Sequence, residues 1–197
     1  PVPGVVTCNM TNAVGIDGTK AEDLTRAEIT CRKQMIPIVR FLREYAPGYE
    51  NCYIVSAASL IGIRETRHFK GVKTLTEEDI LQARQFEDGV VYGAWFNFDV
   101  HNIAGAGLDE TGLQRDFPQA KGYTIPYGCL VPEKIDGLLL AGRNISGTHM
   151  AHSSFGAMPI CVATGWAAGT AAAISVKQGI AVREVSPKEI RNSETTR

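Results

Sequence analysis

The sequence predicts an α/β fold. Three stretches carry that expectation. IDGLLLAGR, residues 135–143, has the form of a buried parallel strand that ends in glycine. A polar loop and then the charge-free run MPICVATGWAAGTAAAISV, residues 158–176, follow it as a helix. VVYGAWFNFDVH, residues 90–101, has four aromatics in partial alternation and reads as the clearest strand. With 197 residues, 44% of them hydrophobic, the chain is long enough for one sizeable core or two small ones.

The other elements follow in order. Residues 1–20 are rich in Pro, Gly, Asn and Thr and read as irregular. Ile29, Met35, Ile36, Val39, Phe41 and Leu42 then recur at helical spacing, with Thr25 and Glu28 placed as a capping box. Pro37 is positioned to bend this helix, and Pro47-Gly48 ends it. CYIVSAASLIGIR, residues 52–64, is β-branched and apolar and reads as extended. Thr76 with Asp79 opens a short helix whose acids lie at the favourable end of its dipole. Residues 102–120 read as loop. YTIPYGCLV, residues 123–131, reads as a strand, with Pro126 marking an edge or bulge. The tail 183–197 is polar and reads as frayed.

The totals exclude some functions. There are 20 basic and 21 acidic side chains and a net charge of −1, so composition makes no case for nucleic acid or an anionic membrane. The nearest basic patch, Arg64, Arg67, Lys70 and Lys73, is interrupted by Glu65 and lacks interleaved aromatics for base stacking. Five cysteines without a C-x-x-C pair point to free thiols in a reducing, cytoplasmic setting. Asn9-Met10-Thr11 and Asn144-Ile145-Ser146 fit the glycosylation pattern, which arises often by chance. The opening Pro-Val-Pro-Gly reads as an internal start, so an export signal is not addressed by these residues.

The charge-free run has the length of a membrane span, but its content argues against one. Residues 163–173 are mostly Ala, Gly and Thr around Trp166, whereas a span usually carries Leu, Ile, Phe and Val. Gly165, Gly169 and Ala172 or Ala173 share one helix face and let a backbone or a flat ligand approach closely. Close packing on a sheet would use the same face. Pro159 suits the first turn. The N–H groups from Ile160 to Ala163 then have no intrahelical partner and form a site for an anion or an electron-rich oxygen. Strand, Ala-Gly-Arg, polar loop and uncapped helix together make a layout for holding a cofactor at strand C-termini.

The run DGLLLAGRNISGTHMAHSSFGAMPICVATGWAAGTAAAISVKQG resembles the C-terminal segment of FAD-dependent oxidoreductases with a glutathione-reductase-like fold. IRETRHFKGVKTLTEEDI and YTIPYGCLVP are similar to two further blocks of that family, in the same order. The resemblance spans about Leu24 to Gly179. It implies an incomplete FAD/NAD(P)-binding fold: the last strand and helix of the FAD domain plus part of a mixed-sheet cap domain, α+β if taken alone. Residues 1–122 would belong to the substrate or cap domain, 123–182 to the C-terminal part of the FAD domain, and 183–197 to a polar tail. It also implies FAD as cofactor. Gly142 and Arg143 would lie near the pyrophosphate or ribityl chain. The segment carrying Met158, Pro159, Ile160, Val162 and Ala163 would face the flavin pyrimidine edge.

The chain departs from that family in two places. It has no G-x-G-x-x-G after a strand, and the nearest match, Gly105-Ala-Gly107-Leu-Asp-Glu110, lacks the third glycine. The ADP-binding unit is therefore not encoded here, and the chain reads as a C-terminal fragment, inactive alone. Gly156 also stands where relatives often carry a basic residue.

Four side chains are candidates for the chemistry. Arg64 and Arg67 follow the extended segment and either orient a substrate carboxylate or hydroxyl or belong to an ion-pair cluster. His149 and His152 precede the cofactor helix, where a base for alcohol oxidation would sit, and each could instead be a loop histidine bonded to backbone. A metal on H-x-x-H needs a third ligand, from His101 or Asp99, and no spacing supports it, so no metal is assigned. There is no nucleophile elbow and no P-loop. The expected reaction is hydride transfer from a small organic or sugar-like substrate to flavin. The expected partners are that substrate and, through an exposed apolar face, a second copy of the chain. The alternative is a non-catalytic, self-associating module.

Overall fold

The structure, a computed structural model, describes residues 2–100 and 121–193. The 102–120 loop, with its Gly105–Glu110 near-motif, and His101 lie outside the described residues. The chain divides into two compact units, the first covering residues 2–66 and the second 67–100 with 121–193.

In the first unit, α1 (Ala21–Tyr45) starts a turn earlier than the sequence suggested. Glu22 and Asp23 occupy its first turn, where the dipole favours negative charge. Thr25 is therefore interior. Its hydroxyl donates to the Ala21 carbonyl at 2.9 Å, and the Thr25–Glu28 box does not form. Glu28 pairs instead with Arg32. Pro37 lies inside α1, and the helix ends at Ala46 just before Pro47-Gly48. Residues 52–64 form no strand. They run irregularly and mostly exposed, fixed by bonds such as Arg43 Nε to the Cys52 carbonyl (2.8 Å) and Ile61 N–H to Glu28 (2.9 Å).

The second unit holds the core. Its short helix α2 (Glu77–Leu81) has the expected capping box between Thr76 and Asp79. Strands β1 (Gly89–Ala94) and β2 (Tyr123–Pro126) pair antiparallel, with Gly89 opposite Pro126 and Ala94 opposite Tyr123, and with irregular register between. Both strands are shorter than expected. Beyond Ala94 the backbone turns to α3 (His149–Phe155): Ser154 Oγ donates to the Phe96 carbonyl at 2.9 Å, and Asp99 N–H donates to the Ser153 carbonyl.

Two further expectations are corrected. Residues 135–143 are not a buried parallel strand. Among the described residues no strand lies beside them, and 135–138 are exposed. Leu140 is buried, and its N–H goes to the Leu130 carbonyl at 2.8 Å. An apolar run becomes a strand only where a neighbour takes its backbone groups. The arrangement is therefore α+β, helices with a small antiparallel sheet. The tail is also not frayed through residue 192. It forms α5 (Pro187–Asn192), which buries Ile190, while Val185 just before it is buried too. Arg191 Nη1 fixes it to the Glu87 carbonyl (2.8 Å) and the Tyr92 hydroxyl (2.6 Å).

The charge-free run is helix α4 (Met158–Gln178), with Pro159 in its first turn and Gly179 (φ 66°) closing it in the left-handed region. Ile160, Thr164, Ala167, Ala171 and Ser175 bury one side, and α4 packs against β1 and α5. Gly165 and Gly169 share the opposite side, where a Cβ would meet nothing within 4 Å. Close packing on a sheet is therefore not their role within this unit. By length and composition α4 is the one described helix able to cross a membrane, a test that a core helix also passes. All five cysteines are free thiols.

Candidate functional site

The candidate site lies in the second unit, where the Gly142–Asn144 turn meets the start of α4. Gly142 has φ +80°, a left-handed conformation that suits glycine. Its N–H donates to Thr164 Oγ1 at 2.8 Å, and that hydroxyl donates to the Cys161 carbonyl at 2.8 Å. Thr164 is fully buried, so this two-bond chain ties the turn to α4 from inside. Arg143, the next residue, is exposed. Burial pushes the Cys161 thiol up, and the nearby Arg143 guanidinium pulls it partly back down. Arg143 is thus close enough to act electrostatically on the first turns of α4.

No side chain caps α4. The first turn is narrower than expected as a donor set. Cys161 N–H already bonds to the Ala157 carbonyl at 2.9 Å, so Val162 and Ala163 lie within the helical ladder. Met158 and Ile160 carry the N–H groups that the helix leaves without an intrahelical partner, since Pro159 has none. Met158 is 81% exposed and Val162 72%, whereas Ile160 is buried. Between Asp136 and Glu184 the sequence has no acid, so nothing on this segment neutralises the positive pole of α4 or Arg143.

The loop before α4 contains α3, a helix the sequence reading missed. Thr148 caps it by accepting from Ala151 N–H, and donates to Glu77 Oε2 at 2.6 Å. That bond holds the Glu77 carboxyl below its usual range. His149 and His152 sit on α3 in different environments. His149 is exposed at the first helical position. His152 is 8% exposed, with its ring edge-on to His68 (5.1 Å) and Phe155 (5.5 Å). His68, in the RETRHFKG block, is a neighbour that sequence reasoning did not single out. Its Nδ1 lies 3.4 Å from the Ile145 carbonyl. Arg64 is an exposed residue of the first unit, and Arg67 an exposed residue of the second. Their segment is irregular, so strand alternation does not set their faces.

A family model described as FAD dependent oxidoreductase matches residues 2–193. The chain belongs to that family. FAD is accordingly its cofactor, and its chemistry is flavin-linked redox. Comparison with curated proteins and with solved structures returns no match.

The residues present fit one end of that group. Two N–H donors at a helix start and an adjacent Arg143, on a segment without Asp or Glu, suit an electron-rich edge or a phosphate. The open Gly165–Gly169 face admits a flat or backbone neighbour. No G-x-G-x-x-G motif for the ADP half occurs in the 197 residues.

Proposed function

We propose that this chain forms the C-terminal part of an oxidoreductase that takes hydride from a small organic or sugar-like substrate. The junction of the Gly142–Asn144 turn with the uncapped start of α4 carries the reading. FAD, when bound, supplies the two-electron acceptor. Gly142, Arg143, Met158, Pro159 and Ile160 hold its electron-rich edge, with Val162 and Ala163 lining the approach. His149 takes the hydroxyl proton as the C–H bond gives up its hydride. Its exposure supports that role, and the burial of His152 between His68 and Phe155 supports a packing role for the second histidine. Arg67, exposed in the same unit as His149, anchors the substrate by charge-assisted hydrogen bonds. Without a Gly-rich unit the 197 residues alone are a poor enzyme.

The intact protein is expected to absorb at about 450 nm, as flavoproteins do. A colourless protein that takes up no added FAD rejects the reading. With a substrate in hand, His149→Ala is expected to lower kcat about 10²-fold or more and to remove one limb of the pH profile. An unchanged profile removes His149 from the reaction.

The second reading is a self-associating module without catalysis. Met158, Val162 and Val176 form an exposed apolar stripe with the glycines of α4, which supports it. A monomer on size-exclusion chromatography at high protein concentration argues against it.

A further inference from the structure

We propose that Thr164 is a positioning residue that holds Arg143 and the start of α4 in one frame, so that both meet the same edge of the cofactor. The inference rests on the flavin reading above and goes beyond it, because Thr164 is buried on the inward side of α4 and is not one of the groups assigned to the cofactor. Its side chain is 1% exposed, on the side of α4 that packs inward.

The geometry gives the hydroxyl two simultaneous roles. It accepts from Gly142 N–H at 2.8 Å and donates to the Cys161 carbonyl at 2.8 Å. The two bonds run in one direction, and each polarises the other in a poorly solvated interior. One end of the chain is the residue before Arg143, in a left-handed turn that only glycine adopts without strain. The other end is the residue after Ile160, one of the two open donors of α4. Among the described residues, no other hydrogen bond joins residues 141–144 to α4. Cys161 adds a second tie toward α3, its thiol directed at the Gly156 carbonyl (3.5 Å) and the Phe155 carbonyl (3.8 Å). Thr164 therefore sets where Arg143 stands relative to the helix pole, although neither group touches its side chain.

Thr164→Val keeps the shape and removes both bonds, whereas Thr164→Ser keeps the hydroxyl. The test uses the flavin-loaded protein and two readouts besides activity: the FAD dissociation constant, and the hydrogen exchange of the Gly142 amide. Val is expected to weaken FAD by roughly three- to tenfold, the equivalent of one lost hydrogen bond, and to speed Gly142 exchange. Ser is expected to restore both to within about twofold. A merely structural threonine would lower Tm in the Val variant and leave the dissociation constant of the folded protein unchanged. That result overturns the inference, as does a Ser variant as weak as Val. If the Val variant does not fold, the wild-type protein decides. A Gly142 amide exchanging as fast as an open loop overturns the clamp, and a protected one supports it. Wild-type protein that binds no FAD overturns the flavin reading itself, a different outcome from wild type and Val binding FAD equally.

Discussion

The two units solve the problem of order differently. Among the described residues of the first unit, Ala27 alone is buried, and Ile29, Ile36, Phe41, Tyr45, Tyr53 and Leu60 are exposed. Its order comes from a 25-residue helix and from polar ties. Gln34 bonds both ways with the Asn12 backbone at 2.9 and 2.8 Å, and Arg32 reaches the Ala58 carbonyl at 3.1 Å. The second unit buries the rest of the core, including Leu75, Ile80, Tyr123, Ile125, Phe155 and Ile190. Local bonds of the first kind each contribute little, because water competes for them. Burial of the second kind is cooperative, and it is what can hold a site rigidly enough for chemistry. This difference accounts for the candidate site lying on α3 and α4 rather than on the longer α1.

The largest expected effect breaks the second unit at α4. Ala171 is fully buried and Ala172, the next residue, is exposed. Ala171→Asp places a carboxylate in the core without a partner and is expected to cost on the order of 3–5 kcal/mol, read as a large fall in Tm. Ala172→Asp is expected to stay within about 0.5 kcal/mol. Equal losses for the two would mean that the open stripe of α4 is covered in the intact protein, which would favour the self-associating reading.

A smaller effect titrates the same core. Burial pushes Tyr123, Tyr127 and Cys129 each up to about 12. A raised pKa means that the folded protein keeps these protons longer than the unfolded chain does. Their contribution is complete below the ordinary values of 9.0 for Cys and 10.0 for Tyr, and is lost as pH rises toward 12. Urea midpoints are therefore expected to fall from about pH 9 upward. The second unit should lose protection against hydrogen exchange over that range, because all three groups lie in it. Cys129→Ala should shrink the fall that begins near pH 9, leaving the smaller share of the Cys161 thiol, which burial also pushes up. A flat profile to pH 11.5 (roughly the foot of the folded titrations) would contradict the burial of these groups.

The sequence made some of this visible, for reasons tied to particular residues. The helix periodicity of 29–42, the Thr76–Asp79 cap and the small-residue content of α4 are local signals, and each of these helices forms. Residues 52–64 and 135–143 carried a strand's composition, but being a strand depends on a neighbour, and composition does not encode one. α3 was hidden because Gly147, Thr148 and two serines read as loop, whereas Thr148 is its N-cap. At the candidate site, Arg143 and the α4 start were legible from an Ala-Gly-Arg sequence followed by Pro159. Thr164 and His68 were not. Their importance lies in what they contact across the chain, at Gly142 and at His152.

The smallest expected effect returns to the first unit. Arg26 and Asp23 face each other at 3.0 Å one turn apart on α1. Asp23 also accepts from Asp17 N–H at 2.8 Å, which joins the preceding loop to the helix start. Arg26→Ala removes the pair and the long 3.5 Å bond from Arg26 Nη2 to the Gly15 carbonyl, and leaves the Asp17–Asp23 bond in place. A surface helix pair of this kind, its Asp23 partly covered, is worth about 0.3–0.5 kcal/mol and is screened by salt. The expected result is a slight loss of α1 protection in hydrogen exchange at low salt, vanishing at about 1 M salt, where the screening length is shorter than the pair's separation plus its hydration. The pH-dependent unfolding of the second unit should not change. A loss larger than about 1 kcal/mol would show that polar ties on α1 act together, as side-chain networks can. The first unit would then be held by a cooperative network in place of a core, and the contrast between the two units would be one of chemistry rather than of stability.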